Sequence, residues 1–177
     1  MSSILNSRIA RRRLLLALAA WPLAGLAAAT NGTVALPESL RRWGSGEFRR
    51  FGFLVYEATL WAGDDPLRPP LMLRLDYKRN IAGADIATAS IKEMRRTVAD
   101  ETRLRDWGER MARIFPDVKP GDHIVGHHVG DGAVFMQGER LLGRIDEHDF
   151  AQAFFAIWLD PRTSAPELRA ALLRRTA

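Results

Sequence analysis

Cysteine is absent from all 177 residues, and that absence removes whole chemistries at once. Disulfides, thiolate nucleophiles, iron–sulfur clusters and cysteine-based zinc sites are excluded. An N-terminal lipid anchor, which needs a cysteine at the cleavage point, is excluded with them. There is no Gly-rich phosphate loop and no Gly-x-Ser-x-Gly elbow, so the familiar local signatures of nucleotide binding and serine hydrolysis are missing. No internal repeat interrupts the chain, and no cofactor motif is present, so no cofactor is expected. Acidic residues are also missing from one particular place: residues 1–29 hold none.

What residues 1–29 do hold is a cationic head of Arg8, Arg11, Arg12 and Arg13, then an apolar run from Leu14 to Leu26, then Ala27-Ala28-Ala29. Basic head, apolar middle and small-residue end is the order of a secretory signal peptide. The run falls short of the roughly 20 residues a spanning helix needs, and Pro22 interrupts it. The alternative is an uncleaved anchor, the one route by which this chain is expected to meet a membrane. Arg11-Arg12-Arg13-Leu14-Leu15 also fits a loose twin-arginine pattern, although an ordinary Sec leader is favoured. Either route leads to the periplasm.

Removing that leader changes the charge. Four of the 26 basic residues and none of the 21 acidic ones lie in residues 1–29, so the remainder carries 22 against 21 and a net of +1 instead of +5. A basic protein invites nucleic acid, but a near-neutral one does not, and no nucleic-acid partner is expected. Residues 30–43 read as a mobile lead-in with Gly32 and Pro37. Residues 44–177 read as one domain, long enough to bury roughly 70% of its unfolded surface.

Within that domain, Phe48 to Trp61 reads as one long aromatic and β-branched strand, apolar on both faces and therefore central. Gly52 inside it suggests a bulge or a close approach. Leu71 to Tyr77 alternates, with Leu71, Leu73, Leu75 and Tyr77 inward and Arg74 and Asp76 outward. The spacing predicts helices over Ile86–Arg96, with a capping box at Ser90 to Glu93, and over Thr102–Phe115, ended by Pro116. Three short strands follow at Ile124–Val129, Ala133–Gln137 and Leu141–Ile145, with Gly-containing turns between them. Helices over Asp149–Leu159 and over Ser164–Arg174, capped by Ser164, close the chain. The architecture expected is α+β, a mixed antiparallel sheet with helices on one face.

Chemistry is less plainly written. His123 and His127 would share a strand face about 13 Å apart at ~3.3 Å per residue, too far to hold one metal ion, and the four histidines read as polar positions on an exposed hairpin. The pairs Asp64-Asp65 and Asp146-Glu147 read as solvated turn charges, since adjacent strand residues point apart. Arg49, Arg50, Tyr56 and Tyr77 stand out as polar groups among apolar strands. An arginine there reaches water or meets an anion, because an unpaired buried charge is costly. Arg49 or Arg50 with Tyr56 could take a carboxylate by charge-assisted hydrogen bonds. Glu93, Arg95 and Arg96 form a second set on the first helix.

Several blocks together resemble the bacterial branch of the chalcone isomerase-like family. They are Phe51-Gly52-Phe53 through Trp61, Ser90-Ile91-Lys92-Glu93-Met94-Arg95-Arg96, Phe115-Pro116-Asp117-Val118, and Ala153 through Ser164. The resemblance implies an open-faced β-sandwich, a large antiparallel sheet covered by helices, with a ligand cleft between them. The family's plant isomerases cyclise a chalcone with an arginine, threonine and tyrosine hydroxyls and an asparagine. On that pattern Phe51 falls near the strand threonine, Ile86 near the tyrosine, Glu93 near the asparagine and Ala156 near the helix hydroxyl. Only Arg49, or Arg50 one residue on, has a counterpart. The resemblance therefore implies a non-catalytic, exported protein that binds a small amphipathic, fatty-acid-like or carboxylate ligand. Its site residues would be Arg49, Tyr56, Tyr77 and Glu93, with no metal. The alternatives are an intramolecular lyase or isomerase using Glu93 as base, and an envelope assembly partner.

Overall fold

The computed structural model describes residues 39–174. The signal-peptide reading of residues 1–29 lies outside them, as does most of the lead-in.

Ten elements follow in order: β1 (Arg41–Arg50), β2 (Phe53–Ala62), β3 (Leu71–Tyr77), α1 (Gly83–Met94), α2 (Glu101–Ile114), β4 (His123–His128), β5 (Ala133–Gln137), β6 (Arg140–Ile145), α3 (His148–Leu159) and α4 (Pro166–Leu172). The strands form one sheet in the order β1-β2-β3-β4-β5-β6, every neighbouring pair antiparallel. The fold is α+β, with an open sheet and four helices, as the sequence led us to expect.

Strand alternation decides which face the helices cover. In β3 the side chains of Leu71, Leu73, Leu75 and Tyr77 are buried, while Arg74 and Asp76 stay partly exposed. Cross-strand partners keep the pattern: Leu73 sits between Leu60 and Gly126, and Tyr77 opposite Tyr56. Over this face lies an aromatic core. Phe135 of β5 meets Phe115 and Phe154 edge-on, each at 5.0 Å between centroids, and Trp107 of α2 meets Phe150 of α3 at 5.6 Å. Such edge-to-face pairs add specific geometry to the area they bury.

Two interlocks bring helices close. α4 lies against β1, where a Cβ on Gly44 would stand 2.4 Å from the carbonyl oxygens of Ala171 and Leu172. Trp107 donates its indole N–H to Glu147 Oε2 at 2.9 Å, and Arg110 also reaches Glu147. These contacts hold the carboxyl of Glu147 below the usual range, the Trp107 hydrogen bond first among the causes. Glu147 is thus a tie between α2 and the start of α3, and not the solvated turn charge the sequence suggested.

Four other expectations are corrected. Phe48 to Trp61 is not one strand but a hairpin, turned by Phe51 (φ 50°) and Gly52 (φ 82°) between Arg50 and its partner Phe53. Two consecutive residues at positive φ form the two-residue turn whose twist matches antiparallel strands. Nor is β2 covered on both sides, since Glu57 is exposed and Thr59 and Trp61 only half-buried on its open face. β1 begins at Arg41, inside the stretch read as mobile. The capping motifs also move: Ser90 lies inside α1 and donates to the Ile86 carbonyl at 2.8 Å, while α4 begins after Ala165 without a side-chain cap from Ser164. Asp100 caps α2, accepting from the backbone N–H groups of Thr102 and Arg103 at 3.0 Å.

Candidate ligand cavity

Between the sheet and helices α1 and α3 lies a cavity of about 310 Å³. Its walls are overwhelmingly apolar: Leu73, Leu75, Ile124 and Phe135 from the sheet, Ile86 from α1, and Phe154 and Ile157 from α3. Gly126 lines it too, where a Cβ would meet only ordinary contacts with Phe155 and Phe135 at 3.4 and 3.5 Å. The absence of a side chain there leaves room beside the rings.

Polar groups enter the cavity at several points: Tyr56 and Tyr77 from the sheet, and Asp85, Ser90, Lys92 and Glu93 along α1. Tyr56 and Tyr77 are direct cross-strand partners on β2 and β3, their rings edge-on at 6.1 Å. Tyr56 stacks on Phe48 at 4.9 Å and its hydroxyl accepts the Trp158 indole N–H at 3.0 Å. That leaves the Tyr56 O–H proton free to donate. Tyr77 is 3% exposed, and its hydroxyl has no hydrogen-bond partner among the described residues. Burial pushes both phenols well above their ordinary value, for Tyr77 with help from Tyr56. The negative charge of Glu93 acts in the same direction on Tyr56, while the Trp158 hydrogen bond opposes it. Both remain neutral donors at physiological pH, and their natural complement is an acceptor.

Of the four residues singled out from sequence, the structure brings three to this cavity: Tyr56, Tyr77 and Glu93. Glu93 stands at the rim in an ion pair with Arg96 at 2.9 Å. Arg49 is not among the lining residues. It projects at the hairpin, where its Nε donates to Glu47 Oε2 at 2.9 Å and its Nη1 to the Gly52 carbonyl at 3.3 Å. Arg50 lines the cavity instead. The signal was available in sequence: Arg50 lies two residues from Phe48 and so shares its face, whereas Arg49 points away. Lys92 of α1 joins Arg50 at the rim, and neither has an acidic partner among the described residues. Trp158 was visible only as an inward-facing aromatic; nothing in the sequence tied its N–H to Tyr56.

The histidine reading needs correction as well. His127 and His128 are buried, at 6% and 4% exposure, because β4 is an inner strand between β3 and β5. His128 stacks on Phe155 of α3 at 5.2 Å. Among the described residues, no group of three or more His, Asp or Glu is placed to hold a metal ion.

With the geometry in place, comparison with known proteins decides the family. The sequence profile described as chalcone isomerase-like matches residues 38–174, which include every described residue. The chain belongs to the chalcone isomerase-like family. A Haemophilus influenzae (strain ATCC 51907 / DSM 11121 / KW20 / Rd) protein, itself described only as uncharacterized, is 29% identical over 136 residues, covering 75% of this chain and 67% of the relative. Among solved structures, that of an Arabidopsis thaliana fatty-acid binding protein superposes with a TM-score of 0.59 at 12% identity, covering 78% of this chain and 88% of that one. That likeness establishes the shared fold. At the positions where this chalcone isomerase-like chain falls on the plant isomerase pattern, Phe51 sits at the hairpin turn, Ile86 and Glu93 line the cavity, and Ala156 lies on α3.

Proposed function

We propose that this protein is an exported, non-catalytic binder of a small amphipathic carboxylate, held in the cavity with its head among Tyr56, Tyr77 and Arg50. The observation that carries the reading is Tyr77: its ring is buried, while its hydroxyl has no hydrogen-bond partner among the described residues and opens on an apolar cavity. A phenol that donates to no protein group there is free to donate to a ligand oxygen. The carboxylate would accept from the two phenols, and Arg50 and Lys92 at the rim supply the compensating charge. The tail would run along β3 towards the row of Leu73 and Gly126, four residues from Tyr77, or about 13 Å at ~3.3 Å per residue. A solved structure of the same fold, named as a fatty-acid binding protein, supports the ligand class. The leader pattern supports export to the periplasm. An isomerase would need Glu93 free to act as a base, whereas here it is engaged by Arg96.

Calorimetric titration with dodecanoate and with dodecanol tests this directly. The acid is expected to bind and the alcohol to bind more weakly. Tyr77→Phe is expected to weaken the acid roughly tenfold or more, the usual cost of losing a hydrogen bond to a charged group. Arg50→Ala should weaken it as well, while Arg49→Ala should leave it unchanged. Equal affinity for acid and alcohol, or indifference to Tyr77→Phe, would sink the head-group assignment.

A further inference from the structure

The β1–β2 hairpin carries a feature that neither the sheet nor the cavity explains. Its tip exposes two phenylalanines, Phe51 at 86% and Phe53 at 61%. Each has a guanidinium over its ring: Arg50 Cζ lies 5.3 Å from the Phe51 centroid, and Arg79 Cζ 4.5 Å from that of Phe53. Neither arginine has an acidic partner among the described residues. Two further cations stand nearby, but both are engaged, Arg49 by Glu47 and Lys78 by Glu57. The tip therefore combines exposed aromatic surface with unpaired positive charge.

The backbone sharpens the point. Phe51 sits at φ 50°, a conformation that glycine or asparagine adopts readily and that a bulky residue adopts at a cost. A phenylalanine here strains the turn and gains little packing in return, since its ring lies in solvent. Strain of this kind at an exposed site is a reason to look for a partner outside the chain.

We propose that this tip is a docking surface for an anionic lipid bilayer. Phenylalanines would enter the boundary between headgroups and acyl chains, and Arg50 and Arg79 would meet the phosphates, the pairing that interfacial membrane anchors use. Both arms of the hairpin run straight into the cavity rim, where Phe48, Arg50 and Val55 are lining residues. Docking would thus turn the cavity entrance towards the membrane. The proposal shares Arg50 with the cavity rim but is carried by Phe51, Phe53 and Arg79, which lie outside the cavity lining, and stands whether or not the cavity takes a carboxylate.

Vesicle flotation tests it, using the full chain and the compact unit of residues 32–177, which contains every described element. The vesicles are phosphatidylglycerol with phosphatidylethanolamine, against phosphatidylcholine alone. The unit is expected to float with the anionic vesicles only and to be released as salt is raised. Phe51→Asn and Phe53→Ser should each lower partitioning by roughly tenfold or more, from the apolar surface withdrawn. Arg79→Glu should abolish the preference for anionic lipid. Because asparagine suits the turn, Phe51→Asn should bind less while melting no lower than the wild type, which separates docking from folding. Failure of the unit to float overturns the proposal. So does binding that needs residues 1–31 and ignores the tip, or association of copies without vesicles that the same substitutions remove.

Discussion

Tyr77 ends β3 with its ring buried and its hydroxyl without a protein partner among the described residues, and Tyr56 beside it holds a free proton while accepting from Trp158. These two phenols were legible in the sequence as polar groups inside apolar strands. Their partnership across β2 and β3 was not, since the register that sets Tyr56 opposite Tyr77 depends on a hairpin that reads in the sequence as one strand. Arg49 misled because only one residue separates it from Arg50, and in a strand one residue is the difference between two faces. The buried histidines were illegible, since nothing local marks β4 as an inner strand. They carry a consequence for pH. Burial pushes the His127 and His128 imidazoles below their ordinary value, with His148 adding to the effect at His128. The unfolded chain then takes up protons at higher pH than the folded one, so stability is full above about pH 6.5 and falls as pH drops through it, until the folded form protonates as well. Glu147 and Asp160, whose carboxyls are held below their usual range, contribute their losses at lower pH still. Urea midpoints are therefore expected to drop between about pH 7.5 and 5.5. The double variant His127→Leu/His128→Phe should flatten that drop, and an unchanged slope would show that the histidines do not cause it.

At the scale of elements, the helices were read correctly in kind and displaced at their ends. α1 starts at Gly83, three residues before the apolar pattern begins, because the Gly83 N–H is taken by the Asp117 carboxylate at 2.8 Å and the position admits no side chain: a Cβ there would stand 2.0 Å from the Phe115 carbonyl oxygen. Neither contact can be seen in local sequence. The β1–β2 hairpin was hidden for a different reason. Its turn is Phe51-Gly52, with an aromatic where hairpins usually show asparagine or aspartate, so two strands read as one. β3 was legible because alternation holds from Leu73 to Tyr77, although Met72 is buried on the other face. The contact of β1 with α4 gives a sharp expectation. Gly44→Ala would push a methyl group against two backbone carbonyls of α4, and backbone yields less than a side chain. Such overpacking is expected to cost about 1–3 kcal/mol, read as a lowered denaturant midpoint with an unchanged slope. The same change at Gly52, where a Cβ meets nothing within 4 Å but φ is 82°, should act through the backbone alone.

At the scale of the molecule, a single sheet with one face clothed by helices leaves a gap where α1 and α3 pass over β2 to β5, and the gap is the cavity. The family was readable from blocks spread along the chain, which the profile match over residues 38–174 bears out. A cleft between sheet and helices followed from that resemblance alone; its lining was not legible in the residues, because it depends on which large side chains fail to meet: Phe135 and Phe154 line it, while Gly126 leaves space beside them. A ligand that fills this space binds the folded form alone and should raise the melting temperature with concentration. The most direct test of the cavity as a carboxylate site is native mass spectrometry of the protein purified from its own cells, with extraction of whatever it retains. A retained amphipathic carboxylate in the wild type, absent from a folded Gly126→Leu variant whose side chain fills the cavity, is the expected result. A wild type that carries no such molecule and gains no mass on incubation with dodecanoate would contradict it.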